Sequence, residues 1–243
     1  YRNPLTIGET TELLGQNPNA KLLAGGTDLI VGMRLSHQIP DLVVDIKNIS
    51  QTREILLTDE GLVIGAAVPC VELTDHPQLR DAYPGLVEAA ELIGSSQIQS
   101  RATLGGNLCN AAPSADAIPP LIVLGATASI HSLNGSREVS ISEFCTGPGS
   151  TILKNNEIVV SINIPAPKQN SGDHYMRFIP RNEMDIAVVG VGTSVKLSDD
   201  GGKFEDAQVS LASVAPTPLH VTTITDHLSG KEINDENLSL IHI

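Results

Sequence analysis

The sequence predicts an α+β fold. Two subdomains share residues 1–168, about 1–52 and 53–168, and a smaller α+β domain covers 173–243 with an end that reads as truncated. Three observations carry this. The opening residues run strand, glycine pair, helix, strand. The middle of the chain holds short strands paired about turn residues. A proline-, glycine- and polar-rich stretch, PAPKQNSGD (165–173), then precedes two long alternating strands. With 243 residues the chain is long enough to bury a sizeable core.

Thr6-Ile7-Gly8-Glu9 is a capping-box pattern that opens a helix through Leu14, and Gly15-Gln16-Asn17-Pro18 ends it. AKLLAG (20–25) reads as a short buried strand, DLIVGMRL (28–35) as a helix starting directly after the glycines, and DLVVDI (41–46) as a second strand, together a small α/β unit. EILLT and LVIGAAV flank Asp59-Glu60-Gly61 as a hairpin. A helix is expected over 84–93 and another over 117–124. TASIHS and REVSI flank Asn134-Gly135, the strongest hairpin signal in the chain. EIVVSINIP (157–165) alternates as a strand. Beyond the 165–173 linker, 185–197 and 204–214 read as strands and 219–230 as a helix. The final ENLSLIHI stops inside an apolar run without a cap, and Tyr1 stands where Met would open a chain, so both ends read as cut.

Composition excludes several function classes. Asp and Glu number 28 against 15 Lys and Arg, a net charge of −13, which is the wrong sign for a phosphate-backbone binder. Trp is absent, and three Tyr and three Phe leave little for stacking single-stranded nucleic acid. No run is long and apolar enough to span a membrane. Cys70, Cys109 and Cys145 are widely spaced with no C-x-x-C pair, which argues against a disulfide framework, a zinc site or a protein-held iron–sulfur cluster and favours a reducing, cytoplasmic compartment. The seven His form no H-x-x-x-H pair, and no G-x-S-x-G elbow is present.

Two glycine stretches carry the chemistry. KLLAGGTDLIVG (21–32) drops from a strand into Gly25-Gly26-Thr27, and RATLGGNLCNAAPSADAIPP (101–120) places Gly105-Gly106 where a strand would continue. Such a turn frees backbone N–H groups, and without a Cβ an anionic group can approach them closely. Two of them could grip one pyrophosphate. A single Gly-Gly is more often only a tight turn, and GVGTSV (190–195) lacks the third glycine of a dinucleotide fingerprint and lies in a strand. Arg101 reads equally as a phosphate neutraliser or a surface ion-pair partner. Cys109 reads as a small buried residue, and Asp116 as an N-cap, a cofactor contact or both.

LLAGGTDL followed by TLGGNLCNAAPSAD, with RFIPRNEMDIAVVGVG (177–192) as a third ordered motif, resembles the flavin-binding medium subunit of the molybdenum hydroxylases, the family of xanthine dehydrogenase and aerobic carbon monoxide dehydrogenase. The resemblance covers nearly the whole chain. It implies FAD on a two-subdomain fold of the vanillyl-alcohol oxidase type. Leu22, Leu23, Ala24, Gly25, Gly26, Thr27, Asp28 and Leu29 would wrap the pyrophosphate, and Thr103, Gly106, Asn107, Asn110 and Asp116 would line the same cofactor. Ile158 and Val159 match positions by the adenine side, and Arg177 matches a basic position that is often Lys in relatives. Three scattered Cys cannot supply the extra cluster some relatives carry, and the family's C-terminal domain is longer than 173–243.

The resemblance further implies an electron-transfer subunit. Electrons would come from a large molybdopterin subunit through a small iron–sulfur subunit, in a dimer of heterotrimers, and would leave FAD for an external acceptor. The alternatives are a self-sufficient FAD-dependent oxidase or reductase, and a non-catalytic nucleotide-binding module. No catalytic side chain and no metal ligand are expected on this chain. Replacing Gly25, Gly26 or Gly106 by Val is expected to expel FAD and leave the fold largely intact.

Overall fold

The computed structural model describes residues 1–35, 39–181 and 184–239. Helix α1 (Ile7–Gln16) is capped by the Thr6 hydroxyl, which accepts from the Glu9 N–H, while the Glu9 carboxylate reaches back to the Leu5 N–H. It runs to Gln16, past the predicted end. Strand β1 (Ala20–Leu23), helix α2 (Leu29–Arg34) and β2 (Leu42–Asp45) follow, and β1 pairs with β2 in parallel, as a crossover through α2 requires.

The second unit is built on β3 (Ile55–Thr58) and β4 (Gly61–Gly65), then short helices α3 (Cys70–Thr74), α4 (Leu79–Ala82), α5 (Pro84–Leu92), α6 (Ser96–Gln99), α7 (Leu104–Asn110) and α8 (Ile118–Val123). Strands β5 (Thr127–Ser132) and β6 (Gly135–Ser140), helix α9 (Ile141–Phe144), the small pair β7 (Cys145–Gly147) and β8 (Ser150–Thr151), and β9 (Ile158–Pro165) complete it. The sheet order is β3-β4-β9-β5-β6, all antiparallel. The short helices α3, α4 and α6 carry no periodicity long enough to predict.

Strand β9 serves two cores. Ile158 and Val160 pack with Leu14, Ile46 and Ile49 of the first unit, whereas Val159, Ile162 and Ile164 pack into the main core of the second. Strict alternation cannot send 160 and 162 to opposite faces. The register against β5 shifts between Ser129 and Ile130, and this bulge flips the alternation midway along β9. One strand thereby cements the two subdomains.

Strand β9 ends at Pro165 and β10 (Ser171–Phe178) begins soon after, so the predicted linker 165–173 is shorter than read, and β10 was not expected. Strand β11 (Val189–Leu197) starts later than the predicted 185, and β12 (Phe204–Ala212) ends before Val214. Residues 219–230 divide into β13 (Leu219–His220) and α10 (Thr223–Leu228), and α11 (Asp235–Leu238) follows. The rest of the uncapped tail, 240–243, lies outside the described residues. The second sheet runs β10-β11-β12-β13, with α10 packing on it through Ile224 and Leu228.

This sheet docks on α5 and α8. A Cβ on Gly85 would stand 2.9 Å from the His174 Cα, and one on Gly192 would stand 2.6 Å from the Pro119 carbonyl carbon. Of the glycines of GVGTSV, Gly192 therefore serves backbone-to-backbone packing, and Gly190 makes room for the Tyr175 ring.

Candidate cofactor cleft

The first glycine loop leaves β1 at Leu23. A Cβ on Gly25 would sit 2.0 Å from the Arg101 carbonyl oxygen, so the two glycine stretches touch through their backbones. This corrects one expectation: Gly25 is bare to let the loops meet, and Val there would push them apart. Gly26 has φ +79°, where L side chains are strained, and its added carbon would meet Leu23 Cδ1 at 2.8 Å. Asp28 is the N-cap residue of α2 but makes no capping bond. Ile30 donates to the Gly26 carbonyl at 3.0 Å. Among the described residues, no protein acceptor lies within reach of the N–H groups of Gly25, Gly26, Thr27, Asp28 and Leu29.

The second stretch differs from its prediction. No strand precedes the glycines; Gly105 and Gly106 lie in the first turn of α7, behind the N-cap Thr103. The Thr103 hydroxyl accepts from the Gly106 N–H at 2.9 Å, and its carbonyl accepts from Asn107 N–H at 2.9 Å, so neither of those donors is open. The N–H groups of Leu104 and Gly105 have no protein acceptor among the described residues. Gly105 is locked against Ala66, whose carbonyl oxygen would be 2.5 Å from its Cβ. Gly106 is different: its added carbon would meet only Thr103 Oγ1, at 3.0 Å. It is the glycine of this pair that faces space. Asn110 closes α7, and Ala111 turns left-handed at φ 49°.

Where the loops meet, a cleft of about 300 Å³ is lined by residues that include Gly25, Lys47, Arg53, Glu72 and Arg101. Lys47 Nζ donates to the Ala24 carbonyl at 3.2 Å and to Asp45 at 2.7 Å. Burial raises the Asp45 carboxyl, but hydrogen bonds from Lys47 and Tyr1 outweigh it and hold it below the ordinary range. Arg53 binds the Ala67 carbonyl at 2.8 Å and Glu72 at 2.6 Å. Arg101 is exposed and, among the described residues, has no carboxylate partner, which removes the surface ion pair considered for it. A larger hollow of about 510 Å³ at the far end of β10 and β11 carries Asp199 and Asp200, the wrong sign for an anionic ligand.

Asp116 is not an N-cap. Helix α8 is headed by Ala117 without a side-chain cap, and Asp116 instead reaches β10: Tyr175 Oη donates to its Oδ1 at 2.7 Å and Arg177 Nη1 to its Oδ2 at 3.2 Å. Burial raises the Asp116 carboxyl against the opposing pull of Tyr175 and Arg177, and burial raises the Tyr175 phenol further. Tyr175 was missed in the sequence; standing two residues from Arg177 on a strand, it shares that residue's face, which is the signal that could have found it. Lys47 and Arg53 were also missed, being single cations in unremarkable loops. Ile158 and Val159 are wholly buried in the two cores, so toward a ligand they have only backbone to offer. Cys109 is exposed by its accessible surface, against its expected burial, yet the protein crowded around its thiol pushes the pKa up to about 12, as an unreactive thiol requires.

These residues fit FAD on grounds of donors and acceptors. Backbone N–H groups from both loops are open where the loops touch. Two buried side-chain atoms, Asn107 Oδ1 in α7 and Arg177 Nε in β10, have no partner among the described residues. Among the described residues no three of His, Cys, Asp and Glu gather as a metal set, and no helix is long and apolar enough to cross a membrane.

Comparison with known proteins agrees with this chemistry. Residues 1–167 match the family described as the FAD binding domain in molybdopterin dehydrogenase, and 174–241 match the CO dehydrogenase flavoprotein C-terminal domain. The xanthine dehydrogenase FAD-binding subunit of Escherichia coli O157:H7 is 35% identical over 99% of this chain and 82% of its own. A carbon monoxide dehydrogenase structure from Hydrogenophaga pseudoflava superposes with a TM-score of 0.92 at 33% identity, covering 98% of this chain and 82% of that one. Quinoline 2-oxidoreductase from Pseudomonas putida 86 gives 0.89 at 28% identity, covering 98% and 81%.

Proposed function

This chain belongs to the FAD-binding subunits of the molybdopterin dehydrogenases, and from that premise we propose how its residues hold the cofactor and what stands on either side of it. The reading is that residues 22–29 and the 103–110 turn grip the FAD pyrophosphate between them. Open N–H groups at Gly25 to Leu29 and at Leu104 and Gly105 are the observation that carries it. Lys47 and Arg53 are paired with Asp45 and Glu72, so Arg101 is the cation of this lining that adds positive field in a chain of net charge −13. Asn107 and Asn110 serve the same ligand from α7, with the orphan Asn107 oxygen accepting from it. Asp116 and Arg177 act from the far wall, and Ile158 and Val159 through their backbone.

Bound FAD supplies the redox centre; the protein positions it and sets its electrostatics. Electrons arrive from a small iron–sulfur subunit fed by a large molybdopterin subunit, in a dimer of heterotrimers in the cytoplasm, and leave to an external acceptor. The division at 168–173 is part of this proposal. Its support is that β9 closes one sheet at Pro165 and β10 opens the other at Ser171.

The test uses Gly106, since Gly25→Val would disturb the fold itself. Gly106→Val adds branches toward the open side of α7 and is expected to cut FAD retention at least about tenfold with unchanged far-UV circular dichroism. Full flavin occupancy in the purified variant would overturn the two-loop grip.

A further inference from the structure

Strand β10 presents Tyr175 and Arg177 on one face, and their partners across the ladder are both glycines: Tyr175 opposes Gly192 and Arg177 opposes Gly190. The ring of Tyr175 leans over Gly190 so closely that a Cβ there would stand 2.4 Å from its hydroxyl oxygen. That hydroxyl is thus held in one place, donating to Asp116 Oδ1, while Asp116 Oδ2 takes Arg177 Nη1. The Arg177 side chain is only 7% exposed, and its Nε has no partner among the described residues. A buried guanidinium N–H without an acceptor is costly, and here a second residue occupies the carboxylate that would otherwise draw the whole fork.

We propose that Tyr175, with Gly190 making room for it, is a positioning residue: by holding one oxygen of Asp116 it fixes Arg177 so that the free Nε–H donates to bound FAD. This rests on the reading that FAD occupies the cleft. Without the Tyr175 hydroxyl, both Asp116 oxygens are open to Arg177. The carboxylate then turns the fork toward itself, and less of the positive charge faces the cofactor.

The experiment measures FAD affinity by fluorescence quenching and the midpoint potential of bound flavin, using the full chain. Tyr175→Phe keeps the ring and removes the hydroxyl. It should weaken FAD about three- to tenfold, the net worth of one ordinary hydrogen bond, and lower the potential, because reduction adds electrons to a site left more negative. Gly190→Ala displaces the same hydroxyl by another route and should reproduce both changes. In an Arg177→Met background, Tyr175→Phe should alter affinity less than about twofold, since its effect runs through Arg177. His174→Gln loosens the same strand from α5 and should leave affinity and potential as in the parent. Equal effects of Tyr175→Phe with and without Arg177, an unmoved potential, or an equal effect of His174→Gln would each overturn the positioning role. Failure of the parent chain to bind FAD at all would instead strike the underlying reading.

Discussion

At the residue scale, the titration of Asp173 separates a packing role from an electrostatic one. Its Oδ2 accepts from the Gly85 N–H at 2.8 Å at the start of α5. Burial pushes the carboxyl up to about 6, the Gly85 N–H opposes this, and neighbouring Glu88 adds to it. The pKa is thus raised in the folded state. Its stabilising contribution is complete below about pH 4 and is lost as pH rises through about 6; above that, an ionised Asp173 costs stability. Asp173→Asn keeps an acceptor for Gly85 and never ionises. Discounted for the solvent that still reaches the group, the gain at pH 8 should be roughly 1–2 kcal/mol, or about 2–8 °C in Tm, with none at pH 4. Calorimetric melts across pH 4–8 decide it, and a larger gain at pH 4 than at pH 8 would refute the sign.

At the element scale, the docking of β11 on α8 depends on Gly192. Gly192→Ala drives a carbon to within 2.6–2.7 Å of the Pro119–Pro120 peptide, backbone against backbone, and should cost about 1–3 kcal/mol. Gly172→Ala in β10 meets nothing within 4 Å and should be neutral or gain about 0.5–1 kcal/mol by relieving unfolded-chain entropy. Denaturant melts of the pair test this, and equal midpoints would show that β11 does not need the close approach. The same elements mark how far the sequence could be read. The β1–α2–β2 unit, both hairpins and β9 were legible because alternation and turn residues agree. Strand β10 was not, because Ser171, Gly172, Asp173 and His174 look like linker; the Asp173 and His174 side chains answer to α5, a neighbour no local pattern reveals. Helix α7 was hidden by its glycines, which serve contact with Ala66 and open space at Gly106. The glycine stretches and Arg177 could be singled out through motif resemblance, and their ligand-holding role is what we propose, whereas the Asp116–Tyr175 link needed the docked sheets.

At the scale of the whole molecule, the proposed site draws on all three units: the β1–α2 loop, the α7 turn, and Arg177 from the second sheet. A ligand that touches all three binds only when all three are docked, so its binding free energy becomes docking free energy. FAD at a hundredfold over its Kd should therefore add about 2.7 kcal/mol to unfolding. In a chain of 243 residues that corresponds to a rise in Tm of about 5–10 °C. The rise should appear in a single transition, because β9 already cements the first two units and the Asp116–Tyr175–Arg177 bonds tie in the third. Arg177→Met removes the third unit's share of the ligand. In that variant at the same FAD concentration, the shift should shrink, and the melt should begin to split into an FAD-sensitive step and an FAD-insensitive one. Differential scanning calorimetry with and without FAD gives both observables. If the parent chain melts in two steps and FAD moves only one of them, the second sheet stands outside the site, and the cofactor is held by the glycine loops alone.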